Sequence, residues 1–383
     1  MQRWHADYGL PVHHFHGPKG SAFAYADEID AWLPGFRRKI NDGSDLNDSA
    51  NQAKRKSIDL TAAADDLWEI RSEKTIQSIS HMYAAAIDED AGNAAAFAGL
   101  ANATIYATIN GMVEGSMAYP RAQEALHRMA RIDPGNLDGK CSAALLDLVW
   151  KRKWGRARTG FDQVLLNQPR NANALLGRAL LSIAECCLPE AWRFCWEAWK
   201  LNTLARPISA VLSWIPYLAG EYGKVLQQTS DLRVSGAYSA THAAIEALAF
   251  IQSSSLRPQL ERFESFTCDY PHDRTLQGAL GYFYAKSNQP ARAFAVLEEI
   301  KKAGDPTNCA YAAALLLIGL NRSQEAVHAL EASYAAGSIW SLGFRCDPML
   351  KPLSDDRRFR ELLKKAGPAQ ASRSSKAPEE GEE

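Results

Sequence analysis

Small and apolar residues recur along most of this chain on a nearly fixed spacing. Ala122, Ala157, Ala191, Val225, Gln259, Ala293 and Ala326 follow one another at steps of 35, 34, 34, 34, 34 and 33 residues. Four positions after each stand Leu126, Phe161, Cys195, Thr229, Phe263, Leu297 and Leu330. Seven positions after each stand Met129, Val164, Ala198, Leu232, Phe266, Ile300 and Ser333. Offsets of four and seven lie on one face of an α-helix, so every rung predicts a helix with one buried stripe. Twelve positions before the rung a second small residue recurs, at Ala179, Ser213, Ala247, Gly281 and Ala314, with Leu145 breaking the pattern. It predicts a second helix per repeat, packed backbone-close against the first, with Gly281 opposite Ala293. Pro134, Pro169, Pro271 and Pro306 punctuate the ladder, because proline cannot continue a helix.

A period of about 34 residues with two helices per unit resembles the tetratricopeptide repeat (TPR). Residues 287–297, SerAsnGlnProAlaArgAlaPheAlaValLeu, resemble the start of that repeat's second helix. The expected fold class is all-α, a TPR-type α-solenoid over residues 61–342. Its hairpins bury their apolar faces only by stacking on neighbours. The first part is irregular. Residues 95–106 read as a first helix, 110–117 as an inserted loop before a partner helix starting near Tyr119, and 67–88 as a further helical pair. Residues 343–367 read as a capping segment. There Ser354 is expected to cap a helix beginning at Asp355, with Asp355 and Asp356 at its positive end, Lys364 and Lys365 at its negative end, and Gly367 as the stop. Residues 368–383 are small, polar and acidic, the composition of a disordered tail.

Residues 1–40 leave the period. They read as a short helix over 1–8, strands over 12–15 and 21–25 around a turn at 16–20, and a helix over 27–40 with Ile29, Trp32, Leu33 and Phe36 on one face. GlnArgTrp (2–4), GlyLeuProValHis (9–13), PheAlaTyr (23–25) and GluIleAspAlaTrpLeu (28–33) resemble bacterial regulators that join a MerR- or excisionase-like winged helix to TPR repeats. Residues 343–367 resemble the end of the same regulators. The resemblance implies Gln2, Arg3 and His5 on a helix entering the major groove and Lys19 on a wing against phosphate. In that family two helices precede the GlnArgTrp helix, whereas this sequence starts within it. Residues 1–40 are therefore expected to be a partial winged helix, with further helices upstream of Met1 or a remnant fold that binds DNA weakly. Residues 41–60, with three aspartates and then Lys54-Arg55-Lys56, read as a flexible linker whose basic run is solvated.

The formal net charge of −1 provides no global field toward nucleic acid or membrane. Seven cysteines, at 141, 186, 187, 195, 268, 309 and 346, contain no CxxC pair. They are expected to be reduced, buried hydrophobes in a reducing compartment. The longest apolar run, 309–320, is twelve residues, short of a membrane span, and residues 1–10 lack a signal core; the expected location is cytoplasmic.

Chemistry is sparse. His5, His13, His14 and His16 lack the convergent acid or thiol of a metal site. Residues 17–21 lack phosphate-loop spacing. The adjacent acids Asp65-Asp66, Glu298-Glu299 and Asp355-Asp356 point apart on a helix, and no serine stands in a GxSxG setting. No catalytic residue, metal or cofactor is expected. Trp192, Trp196 and Trp199 share one broad helical face and are expected to pack between repeats. The function expected is a scaffold that binds a protein or peptide on the concave surface. The TPR resemblance places groove positions 18, 15, 11, 8 and 7 residues before each rung, and from these Trp150, Trp214, Tyr217, Gln252, Tyr282, Lys286 and Tyr311 are selected as anchors. Two alternatives stand beside it: a DNA-binding transcriptional regulator whose start lies upstream, and an accessory subunit of an enzyme complex.

Overall fold

A computed structural model describes residues 11, 13–14, 22–23, 26–41, 49–69, 75–203, 205–253 and 260–368. The fold is a TPR-type α-solenoid. A minimal antiparallel bridge joins β1 (His13–His14) to β2 (Ala22–Phe23), with His13 opposite Phe23. Helices α1 (Ala26–Asn41), α2 (Ser49–Glu69) and α3 (Ile76–Glu89) follow. Seven hairpins then run as inner and outer helices. The inner set is α4 (Ala94–Ile109), α6 (Leu137–Val149), α8 (Ala172–Ala184), α10 (Arg206–Leu218), α12 (Ala240–Ser253), α14 (Arg274–Lys286) and α16 (Pro306–Gly319). The outer set is α5 (Gly115–Ile132), α7 (Trp154–Asn167), α9 (Leu188–Leu201), α11 (Tyr222–Val234), α13 (Leu260–Asp269), α15 (Pro290–Ala303) and α17 (Ser323–Ala335). Two 3-10 turns, Ile339–Gly343 and Pro348–Leu353, lead to α18 (Arg357–Lys365).

The sequence ladder is the buried stripe of the outer helices. Ala157, Phe161 and Val164 are the buried residues of α7, Ala191, Cys195 and Ala198 those of α9, and Ala293, Leu297 and Ile300 those of α15. The inner helices are covered on nearly every side. Their starts are fixed by side-chain caps: Asn136, Asn171 and Asp273 each accept from the backbone N–H three residues on, at 2.8, 2.9 and 2.7 Å. The turn from inner to outer helix uses one left-handed residue at a recurrent place, namely Arg152, Cys186, Gly220, Asn288 and Asn321. Glycine and asparagine adopt that conformation readily, whereas Arg152 and Cys186 do so at a steric cost.

The array closes on itself. Gly115, at the start of α5, lies where a side chain would meet Thr307 of α16, and the Tyr119 hydroxyl donates to the Gly337 carbonyl at 3.1 Å. A bare backbone at Gly115 is what lets α16 come this near. The inserted loop is accordingly shorter than expected, with α5 beginning at Gly115.

Four further expectations are corrected. Residues 49–60 are not linker but the first turns of α2. Ser57, Leu60, Thr61 and Ala64 continue one buried helical stripe, the Ser57 hydroxyl donates to the Ala86 carbonyl at 2.6 Å, and Lys56 pairs with Glu89 at 2.6 Å. The helix cap is Asp356, not Ser354: its carboxylate accepts from the N–H groups of Arg358 and Phe359 at 2.7 and 3.1 Å, while Ser354 is already in helical backbone. Only Cys141, Cys195 and Cys309 are buried; Cys186, Cys187 and Cys346 are half-buried and Cys268 is exposed. The facing of the small residues also differs, since a side chain at Gly281 would meet Leu316 of the next inner helix and Val296, not Ala293. Residues 369–383 lie outside the described residues.

Candidate binding cup

The chain after Gly337 turns inward and fills one half of the concave surface. This plug, residues 338–353, is gripped by the inner helices. Trp340 stacks on Tyr311 (ring centroids 5.3 Å, 11° apart) and meets Trp214 edge-on at 5.3 Å. Asp347 is buried and accepts from the hydroxyls of Tyr217 (2.7 Å) and Tyr311 (2.5 Å) and from the Met349 N–H (3.0 Å). Burial raises the Asp347 pKa, against the pull of those hydrogen bonds. Removed from water beside this acid, both tyrosines are raised well above their usual range. Gln252 donates to the Met349 sulfur at 3.0 Å. Arg152 donates to the Ser338 carbonyl and the Ser341 hydroxyl with its charge over the Tyr334 ring, and burial lowers its pKa to about 10, so it remains a cation at neutral pH.

Five of the seven expected anchors therefore meet at or beside the plug. Trp214, Tyr217, Gln252 and Tyr311 touch it directly. Trp150 stacks on Tyr119 (5.4 Å) beside Gly337, where the plug begins. Tyr282 and Lys286 stand apart from this group: the ammonium of Lys286 lies 5.7 Å from the Tyr282 ring and donates to Asn321 at 3.1 Å. The proposed DNA contacts Gln2, Arg3, His5 and Lys19 lie outside the described residues. Trp192, Trp196 and Trp199 stack in a row on outer helix α9 (6.1 and 4.8 Å), with Trp196 41% exposed.

The other half of the concave surface is open. Here the first turns of the inner helices surround a cup of about 450 Å³. Leu180, Trp214, Ile245, Ile339 and Trp340 provide its apolar lining, so the plug forms part of the wall. The polar lining comes from Asn173, Arg206, Thr241, Arg274 and Asn308. Asp273 and Asp305 also line it, but their carboxylates accept from the Leu276 and Thr307 N–H groups as helix caps. Arg274 donates to Gln277 on its own helix (2.9 Å), and neither it nor Arg206 forms an ion pair among the described residues. Apolar walls with a few polar groups, at this volume, are the usual make-up of a ligand pocket.

The cup left a signal in the sequence that the aromatic anchors do not carry. Asn173, Thr241 and Asn308 stand 18 positions before their rungs, and Leu176 and Ala210 stand 15 before theirs. Those offsets belong to the groove set, but the aromatic residues stand mostly at offsets 11, 8 and 7, with Tyr311 alone at 15.

Among the described residues one trio, Glu185, Cys187 and Glu190, brings potential metal-ligand atoms within 4.8 Å of one another. Glu185 pairs with Arg158, and Glu190 lies 3.7 and 3.6 Å from Arg178 and Arg193, so both charges are already matched.

Searches by sequence found no matching family model and no matching curated protein. Solved structures do match. A chain of the APC/C hetero-tetramer Cut9–Hcn1 superposes with TM-score 0.51 at 15% identity, covering 88% of this chain and 59% of that one. A tetratricopeptide repeat protein from Parabacteroides merdae ATCC 43184 matches with TM-score 0.35 at 14% identity over 83% and 98% of the two chains. Yeast Tom70 matches with TM-score 0.41 at 10% identity over 89% and 77%. This chain thus spans 59% of the length of the first relative, and the likeness is one of fold.

Proposed function

We propose that this chain is a protein-interaction scaffold that receives a short peptide segment of its partner in the cup. The observation that carries the reading is the plug. The inner wall already holds an irregular stretch of polypeptide by stacking on Trp340 and hydrogen-bonding Asp347. The cup continues that same wall into open space, next to the point where Trp214 and Trp340 meet. A partner side chain seated on these rings would gain apolar burial, while the Thr241 hydroxyl and the side-chain carbonyl of Asn308, whose amide nitrogen is held by Asp305, would meet its backbone.

The test is a displayed random-peptide library selected on the wild-type chain and re-measured on Val211→Trp. Val211 is a half-exposed wall residue of the cup, so a large ring there fills it without disturbing the core. Selected peptides should lose at least tenfold in affinity on the variant, at unchanged circular dichroism and melting temperature. Peptides that bind both proteins equally would place recognition elsewhere.

A further inference from the structure

The turn between α8 and α9 carries chemistry that peptide binding does not use. Cys186 sits there in left-handed backbone at φ 56°, half-buried. Cys346, on the plug between the two 3-10 turns, lies against it: its sulfur approaches the Ile183 carbonyl at 3.9 Å, and that same carbonyl accepts from the Cys186 N–H at 2.9 Å. Gly367, just past α18, packs on the Ala184 carbonyl and on Arg345, so plug, terminal helix and repeat turn meet at one point.

We propose that Cys186 and Cys346 are a peroxide-reactive pair that closes to an intramolecular disulfide, fastening the plug to the α8–α9 turn. The geometry assigns the roles. The neighbouring Cys346 thiol and the Arg345 charge both favour the thiolate of Cys186. Together they bring Cys186 down to about 7, while Cys346 is raised by its interaction with Cys186 and by burial. The attacking thiolate is thus Cys186 and the resolving thiol Cys346.

The chemistry balances with a hydroperoxide as oxidant. The Cys186 thiolate attacks one peroxide oxygen; the S–O bond forms, the O–O bond breaks, and hydroxide or alkoxide leaves. The resulting sulfenic acid is attacked at sulfur by Cys346; the S–S bond forms, the S–O bond breaks, and the leaving hydroxide takes the Cys346 proton as water. Two electrons pass from the two sulfurs to the peroxide. The bond joins residues 160 apart in sequence, 346 − 186, a long loop whose closure restricts the unfolded chain.

The experiment treats the full chain with hydrogen peroxide and counts thiols. Two of the seven cysteines should be lost, non-reducing peptide mapping should recover the 186–346 link in monomeric protein, and the melting temperature should rise and return with dithiothreitol. Cys186→Ser and Cys346→Ser should each abolish the link, and Cys187→Ser should leave it intact. The wild-type map decides the matter even if a variant misfolds. A link to Cys187 or Cys268, a covalent dimer, or oxidation that stops at sulfinic acid would overturn the proposal.

Discussion

The inner and outer helices of this ring obey different rules, although each pair comes from one repeat. Outer helix α15 buries only Ala293, Leu297 and Ile300, whereas inner helix α16 buries eleven residues, from Thr307 to Gly319. The outer layer has water on one side and so shows an amphipathic stripe. The inner layer has outer helices behind it, neighbours on each flank and the plug in front, so its sequence is apolar all round. A repeat register can therefore be read from the outer layer alone, while the site is built by the inner one.

The most damaging change is removal of the plug. Leu342, Phe344, Met349, Leu350 and Leu353 are all at most 2% exposed. At about 1.5–3 kcal/mol per buried side chain, their sum rivals the roughly 5–15 kcal/mol that holds a typical domain together. A chain ending at Gly337 should therefore lose its cooperative thermal transition. A truncated chain that melts as sharply as the full one would mean that the plug is a displaceable occupant, and the whole concave face would then be open to partners.

Next in size is a contact between inner helices. A Cβ added to Gly278 of α14 would lie 2.4 Å from the Ala312 carbonyl oxygen and 2.7 Å from its Cα, both backbone atoms of α16. Neither can swing aside. Gly278→Ala should cost about 3 kcal/mol, the upper part of the overpacking range, although alanine is the better helix former. A melting temperature equal to wild type would show that α14 and α16 pack less closely than described.

That contact also shows where sequence reading stops. The ladder Ala157, Ala191, Val225, Ala293 predicted the outer stripe because a half-wet helix writes its burial into a period. It located the inner helices as well, and five anchors fell at or next to the plug. Their partners were not legible: Tyr217 and Asp347 are 130 residues apart, and the plug has no period to betray its path. Gly281 was paired with Ala293 on spacing alone, yet Leu316 of the following repeat faces it. In the cup, asparagine, threonine and arginine at helix starts read as ordinary solvated ends.

A smaller effect sharpens the inner layer by pH. His242 of α12 is buried, its Nδ1 facing the Ser239 N–H at 3.2 Å, and burial lowers its pKa to about 4. A base with a depressed folded pKa gives stability that is present above the unfolded value near 6.5 and lost as pH falls toward 4. About 1 kcal/mol should be gone by pH 5.5. Asp347 acts in the opposite sense, because its raised pKa favours the fold as the acid becomes protonated. His242→Gln, which carries no titrating ring, should show a flatter denaturant midpoint between pH 7 and 5; equal slopes in the two proteins would exclude a buried neutral imidazole.

The least effect, and of opposite sign, belongs to the outer layer. Gly223 stands in the first turn of α11, and a Cβ placed there meets nothing within 4 Å. Its φ is not in the left-handed region, so alanine fits the backbone already present. Gly223→Ala removes conformational freedom from the unfolded chain and adds no clash, and should stabilise by a few tenths to about 1 kcal/mol. The same exchange is thus expected to stabilise on the outside and to destabilise on the inside, at Gly278. Measured together in one denaturant series, the two variants should move the midpoint in opposite directions. If both move it the same way, the division into a tightly packed inner layer and a one-sided outer layer fails, and with it the reason for placing recognition on the inner wall.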